Sequence, residues 1–101
     1  MNDKELLTLA AKAAGYNLEE HYDDDQYYPW CAETEAFWNP LLNDGDALRL
    51  MVNLGMDILF YQSIVAVTYW ATTQEPYSFD MEASTRRAIV KVAAEIGREM
   101  K

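Results

Sequence analysis

Hydrophobic positions along the chain change their period twice, and the changes mark out its elements. Over Asp3–Ala14, Leu6, Leu9, Ala10 and Ala13 recur at helical spacing. Asn2 is placed to cap this helix, Glu5 stands three residues on as in a capping box, and Gly15 lies just past its end. A second helix is predicted between Asp44, read as its N-cap, and Gly55. Asp46 sits in its first turn, and Ala47, Leu48, Met51 and Leu54 give its apolar stripe. The period then falls to that of a strand. Residues 57–61 and 64–70 are rich in Ile, Val, Phe, Tyr and Trp and are separated by Gln62 and Ser63, which predicts a β-hairpin. Its second strand is apolar on both sides, with Ile64, Ala66 and Trp70 on one and Val65, Val67 and Tyr69 on the other, so both faces call for cover. A third short strand near residues 76–79 is an option. The last helix opens at Asp80 as cap with Glu82 in its first turn. Ile89, Val92, Ala93, Ile96 and Met100 form its buried stripe, and Arg87, Lys91, Glu95 and Arg98 its wet side.

Residues 16–43 follow neither period. Glu19, Glu20, Asp23, Asp24 and Asp25 form an acidic run, followed by Tyr27, Tyr28, Pro29, Trp30, Phe37, Trp38 and Pro40. Twenty-eight residues is long for a connection in so small a domain. The pattern predicts an irregular acidic-aromatic segment with short helical turns, for example around residues 33–37. With 101 residues, half of them apolar, the chain supports one core and one domain, residues 1–101. The expected fold is α+β: a small antiparallel sheet packed with three helices in a sandwich.

Charge sharpens this picture. The net charge of −9 is carried by one half: residues 1–47 hold eleven acids against two lysines, and residues 48–101 hold six against six. Such a field disfavours direct binding of a phosphate backbone. It favours a basic partner, such as the nucleic-acid-binding surface of another protein. A single cysteine, Cys31, rules out a disulfide within the chain. The polar start Met1-Asn2-Asp3-Lys4-Glu5 does not read as a secretory signal, and no apolar run approaches the ~20 residues of a membrane span. A reducing, cytoplasmic setting without membrane contact is expected.

Two stretches carry a resemblance. Trp38-Asn39-Pro40-Leu41 is followed by Asp44-Gly45-Asp46-Ala47-Leu48-Arg49-Leu50, and Thr85-Arg86-Arg87-Ala88-Ile89-Val90 opens a run that continues to Gly97. Together these resemble the small bacteriophage proteins grouped as the phage ABA-sandwich domain, over about residues 38–100. The resemblance implies a small sheet between helices, encoded by a phage or prophage, and implies little about activity. The chain departs from the pattern in a short segment between the motifs and in the acidic-aromatic stretch before Trp38. Read physically, both motifs are architectural: Asp-Gly-Asp opens a helix, and the later run supplies one buried and one wet face.

Candidate chemistry is sparse. His21 is the only histidine, set in an acidic run ten residues from Cys31, and reads as a solvated loop residue. Cys31 reads as a small buried hydrophobe. Asp23, Asp24 and Asp25 lack the disciplined ligand spacing of a calcium loop, and Asp44 and Asp46 have helix-opening roles. Gly15, Gly45, Gly55 and Gly97 are isolated, so no glycine-rich phosphate loop is present. The expectation is a non-enzymatic binding protein without metal or cofactor.

The candidate interface is Glu19, Glu20, Tyr22, Asp23, Asp24, Asp25, Tyr27, Tyr28 and Trp30, since Tyr and Trp anchor interfaces and acids steer a basic partner. The competing reading packs the same rings onto the core and leaves the acids for solubility. Arg86, Arg87 and Lys91 form a modest basic patch, read as a solvated helix face or as the answer to an acidic patch on a second copy. The functional expectation is a phage accessory protein in the host cytoplasm that binds and inhibits a host protein, for instance as an anti-CRISPR-type inhibitor. A self-assembling structural domain, homodimeric in its simplest form, and a small-ligand module are the alternatives.

Overall fold

A computed structural model describes residues 1–60, 64–68, 72–76 and 81–100, with residues 58–60, 64–68 and 72–76 described as backbone. The fold is α+β, and the described residues form three helices and short antiparallel sheets. Helix α1 (Asp3–Ala14) starts where its cap places it: the Asn2 side chain accepts from the Glu5 backbone N–H at 2.8 Å. It ends at Gly15, whose φ of 80° lets Tyr16 N–H turn back onto the Ala11 carbonyl at 2.8 Å. Leu6, Leu7, Ala10 and Ala11 are buried, so the stripe lies slightly round from the expected one.

Helix α2 (Asp44–Leu54) corrects two expectations. Its N-cap is Asn43, whose side chain accepts from the Asp46 N–H at 2.9 Å, and Asp44 belongs to the first turn. Its buried apolar residues are Ala47 and Leu50, whereas Leu48 is 56% exposed. Leu48 and Ala47 are about 100° apart on the helix, and packing has turned the Ala47–Leu50 side inward.

Helix α3 (Met81–Glu99) is the hub, in contact with α1 and α2 and with a sheet described below. Ala88, Val90, Val92 and Ala93 have no exposed surface, and Ile89 and Ala94 are nearly as dry. A helix dry over so many positions is covered on more than one side. The expected stripe included Met100, which is instead exposed, and omitted Ala88, Val90 and Ala94. Asp80, expected as the cap, lies outside the described residues. Gly97 permits a close approach of α1 and α3: a Cβ there would stand 1.9 Å from the Leu9 carbonyl oxygen of α1.

The stretch expected to be irregular is a β-meander. Strands β1 (Leu18–Glu19), β2 (Tyr22–Asp23), β3 (Gln26–Tyr27) and β4 (Trp30–Cys31) pair as Leu18↔Cys31, Glu19↔Trp30, Tyr22↔Tyr27 and Asp23↔Gln26. One register relates all four pairs, and the Tyr28 N–H donates to His21 between them at 2.9 Å. This is a single hairpin over residues 18–31, interrupted where Pro29 has no N–H to give. Strand β5 (Ala36–Phe37) adds to β4 through Trp30↔Phe37 and Cys31↔Ala36. Residues 32–35 form the connecting turn, so the helical turn expected around residues 33–37 is absent.

Strands β6 (Asp57–Phe60), β7 (Ile64–Thr68) and β8 (Thr72–Pro76) form the second sheet, with β7 central. The expected hairpin is there in antiparallel register from Asp57↔Thr68 to Phe60↔Val65. The third strand exists but lies at Thr72–Pro76, with residues 77–79 outside the described part, as are Tyr61, Gln62, Ser63, Tyr69 and Trp70. It was hard to read because an edge strand need not be apolar: Thr72, Thr73, Gln74 and Glu75 suit an edge, and Pro76 is tolerated at its end. Both β7 and β8 contact α3.

Candidate functional site

Both sequence motifs prove to be one polar clamp. Asn39 is 1% exposed, donates through Nδ2 to the Tyr27 carbonyl at 2.7 Å, and accepts at Oδ1 from the Leu41 N–H at 3.0 Å. Its own N–H donates to Asp46 Oδ2 at 3.0 Å, and Arg49 reaches Asp46 Oδ1 at 2.8 Å. From α3, Arg86 donates through Nε to the Leu41 carbonyl at 2.9 Å and pairs with Asp44. Arg87 pairs with Asp3 of α1 at 3.1 Å. The basic patch is therefore largely consumed by internal contacts, and these motif residues build the fold.

The hairpin provides a different kind of surface. Its tip is the two-residue loop Asp24-Asp25, with φ of 46° and 65°. A left-handed pair at this position is what a type I′ hairpin loop requires, and Asn-Gly or Asp-Gly serves it best. Here two aspartates take the strained backbone, beside a third carboxylate at Asp23.

Cross-strand pairing sorts the remaining candidates by face. Glu20, Tyr22, Tyr27, Pro29 and Cys31 alternate onto the side turned toward α1 and the core, where Pro29 and Cys31 are buried. The Tyr22 and Tyr27 rings meet at 5.6 Å, tilted 58° to each other, and Lys4 of α1 sits 5.5 Å from the Tyr27 ring centre while paired with Glu20. The hydrogen bond to Glu20 raises the Lys4 ammonium above its ordinary value, and burial pushes the Tyr27 phenol up. Glu20, Tyr22 and Tyr27 thus already hold a cation from their own chain.

Glu19, His21, Asp23, Tyr28, Trp30 and Phe37 alternate onto the outer side. Phe37 is its centre: His21 stands 4.5 Å from it, Trp30 5.1 Å edge-on and Tyr28 6.3 Å edge-on. Phe37 remains 45% exposed, and Tyr28 and Trp30 are half-buried by the cluster itself. His21, Asp23, Tyr28 and Phe37 bound a depression of about 260 Å³. The outer side of a one-sided antiparallel sheet is normally polar. This one carries four rings within an acidic border.

Of the nine expected interface residues, Glu19, Asp23, Tyr28 and Trp30 lie on this outer face, Asp24 and Asp25 at the tip, and Glu20, Tyr22 and Tyr27 on the opposite face. His21 and Phe37 were missed. Only the strand register brings them in, since it sets His21 opposite Tyr28 and Phe37 opposite Trp30.

Two further features are distinct from this face. Glu33 accepts from the Asn17 N–H and Nδ2, both at 2.9 Å, and these bonds, the backbone one foremost, hold its carboxyl below the ordinary carboxylate value. A second, mainly apolar groove of about 420 Å³ lies between α2 and α3, walled by Ala47, Leu48, Met51, Met81 and Ile89. Among the described residues no three metal-ligating side chains converge, and no helix is long and apolar enough to cross a membrane. No family model, curated protein or solved structure matches the chain.

Proposed function

We propose that this chain is a non-enzymatic binding protein whose outer hairpin face docks a basic surface of another protein, of the kind that otherwise holds nucleic acid. The observation that carries this reading is the Asp24-Asp25 tip. Three adjacent carboxylates repel one another, and two of them occupy a backbone region that costs a non-glycine residue on the order of 1 kcal/mol. A turn built for stability alone has better residues available, so the charge placed here points to a task outside the fold. Behind the tip stand the exposed Phe37 ring and the half-buried Tyr28 and Trp30, which supply the apolar centre an interface needs. In the phage setting that the motif resemblance suggests, the partner is a host protein and the effect of occupying its nucleic-acid surface is inhibition.

The test removes charge without harming the turn. The triple variant Asp23→Asn, Asp24→Asn, Asp25→Gly keeps a favoured hairpin loop and stabilises it by about 1 kcal/mol. Affinity capture from bacterial lysate is run with both proteins at low and raised salt. A nucleic-acid-handling partner held by wild type, released by salt and lost with the triple variant is the expected outcome. Equal capture by the variant would remove the acidic tip from the account.

A second reading, self-association, is favoured by the α2–α3 groove. Leu48, Met81 and the neighbouring Val52 are 56%, 50% and 65% exposed, which makes an apolar patch beside a ready cleft. Sedimentation that shows a monomer at all accessible concentrations, unchanged by Leu48→Glu, would dismiss it.

A further inference from the structure

We infer that the depression bounded by His21, Asp23, Tyr28 and Phe37 seats one arginine side chain of the partner. The inference rests on the basic-partner reading above and names the contact at its centre.

The two faces of the hairpin make the case by comparison. On the inner face, the Tyr27 ring and the Glu20 carboxylate together receive the Lys4 ammonium. The outer face repeats that chemistry, with rings from Tyr28 and Phe37 and a carboxylate from Asp23 around one concavity. Among the described residues, six of the chain's own cations are engaged elsewhere: Lys4 with Glu20, Lys12 with the Met100 carbonyl, Arg49 with Asp46, Arg86 with Asp44, Arg87 with Asp3 and Arg98 with Glu95. A ring face attracts a cation through its quadrupole, and a nearby carboxylate adds a charged hydrogen bond.

Shape selects among cations. Tyr28 stands at 90° to Phe37 at 6.3 Å, so the two rings form a corner and not a closed cage. A planar guanidinium lies flat on one wall and presents its edge to the carboxylate beside it, whereas an ammonium uses a corner less fully. His21, tilted 41° over Phe37, closes the third side. The acidic tip and Glu19 place this corner within a field that attracts a basic surface from solution.

Two blocked tripeptides, Gly-Arg-Gly and Gly-Lys-Gly, are titrated at millimolar concentration into the full chain, and the aromatic side-chain resonances are followed by NMR. The arginine peptide is expected to shift the His21, Tyr28 and Phe37 rings, leave Tyr22 and Tyr27 unmoved, and bind several-fold more tightly than the lysine peptide. Phe37→Leu keeps an apolar residue without a π face, and Asp23→Asn keeps the shape without the charge. Each is expected to weaken the arginine peptide roughly fivefold. Unmoved Tyr22 and Tyr27 resonances show in each variant that the hairpin is intact. Equal binding of both peptides with Phe37→Leu indistinguishable from wild type overturns the inference and leaves charge steering in place. Shifts at Tyr22 and Tyr27 instead overturn it by moving the contact to the Lys4 face. Absence of any peptide binding overturns it too; if salt-sensitive partner capture then persists, the basic-partner reading survives, and if capture is also lost, both fall.

Discussion

At the scale of single residues, the fold depends on a few polar groups that burial leaves no slack. Asn39 satisfies the Tyr27 carbonyl and the Leu41 N–H at once and has almost no access to water. Asn39→Ala strands both, so a loss of about 2–3 kcal/mol is expected in urea unfolding, visible as a lowered midpoint with unchanged slope. Glu33 acts at the surface and through pH. Its folded carboxyl sits below the ordinary value because charged Glu33 accepts from Asn17. Such a group stabilises the fold above its unfolded pKa, and that contribution disappears as pH falls through the folded one. Wild type should therefore lose more stability than Glu33→Gln on acidification below the ordinary glutamate range. A carbon-detected titration should find the Glu33 carboxyl below the ordinary glutamate value. Identical acid profiles would mean the Asn17 bonds are not kept in solution. Neither role was legible from the residues, because Asn39 inside Trp-Asn-Pro-Leu and Glu33 in a polar turn look like ordinary loop chemistry until their partners at positions 27 and 17 are brought near.

At the scale of elements, local signals and packing divide the work. The caps of α1 and α2 are short-range hydrogen bonds, within three residues of the side chain that makes them. Helix ends were for that reason readable to within a residue, with Asn43 displacing Asp44. Which side of a helix faces inward is not local. Leu48 obeys the period but points to solvent, and Val90 and Ala94 break the assigned stripe but are dry. Gly97 is the strongest case. Glycine inside a helix costs about 1 kcal/mol against alanine, so its presence there needs a reason, and the Leu9 carbonyl 1.9 Å from any Cβ provides one. Gly97→Ala should destabilise by about 2–3 kcal/mol despite its better helix propensity, read as a lowered thermal midpoint. A gain in stability would show that α1 and α3 can separate at little cost. The hairpin was hidden for another reason: with rings on both faces, alternation produces no polar–apolar contrast to detect.

At the scale of the whole molecule, charge is unevenly spread over a body of 37 × 32 × 23 Å. At about 0.01 M salt the screening length is about 30 Å, so the excess acids of residues 1–47 repel one another across the entire protein. The opposing ion pairs are mostly exposed and contribute little each. Raising salt from about 0.02 to 0.5 M should therefore lift the thermal midpoint, by roughly 2–5 °C. A fall would mean the ion pairs outweigh the repulsion. The sequence by itself determined the α+β class, the extents of the helices, the β6–β7 hairpin and the asymmetry of charge, because caps, periods and formal charges are properties of neighbouring residues. Only the tertiary structure decided that Glu20, Tyr22 and Tyr27 close over Lys4 while His21, Asp23, Tyr28 and Phe37 open outward. That division is set by strand register and by the docking of α1 against the hairpin, and both depend on contacts between residues far apart in the chain.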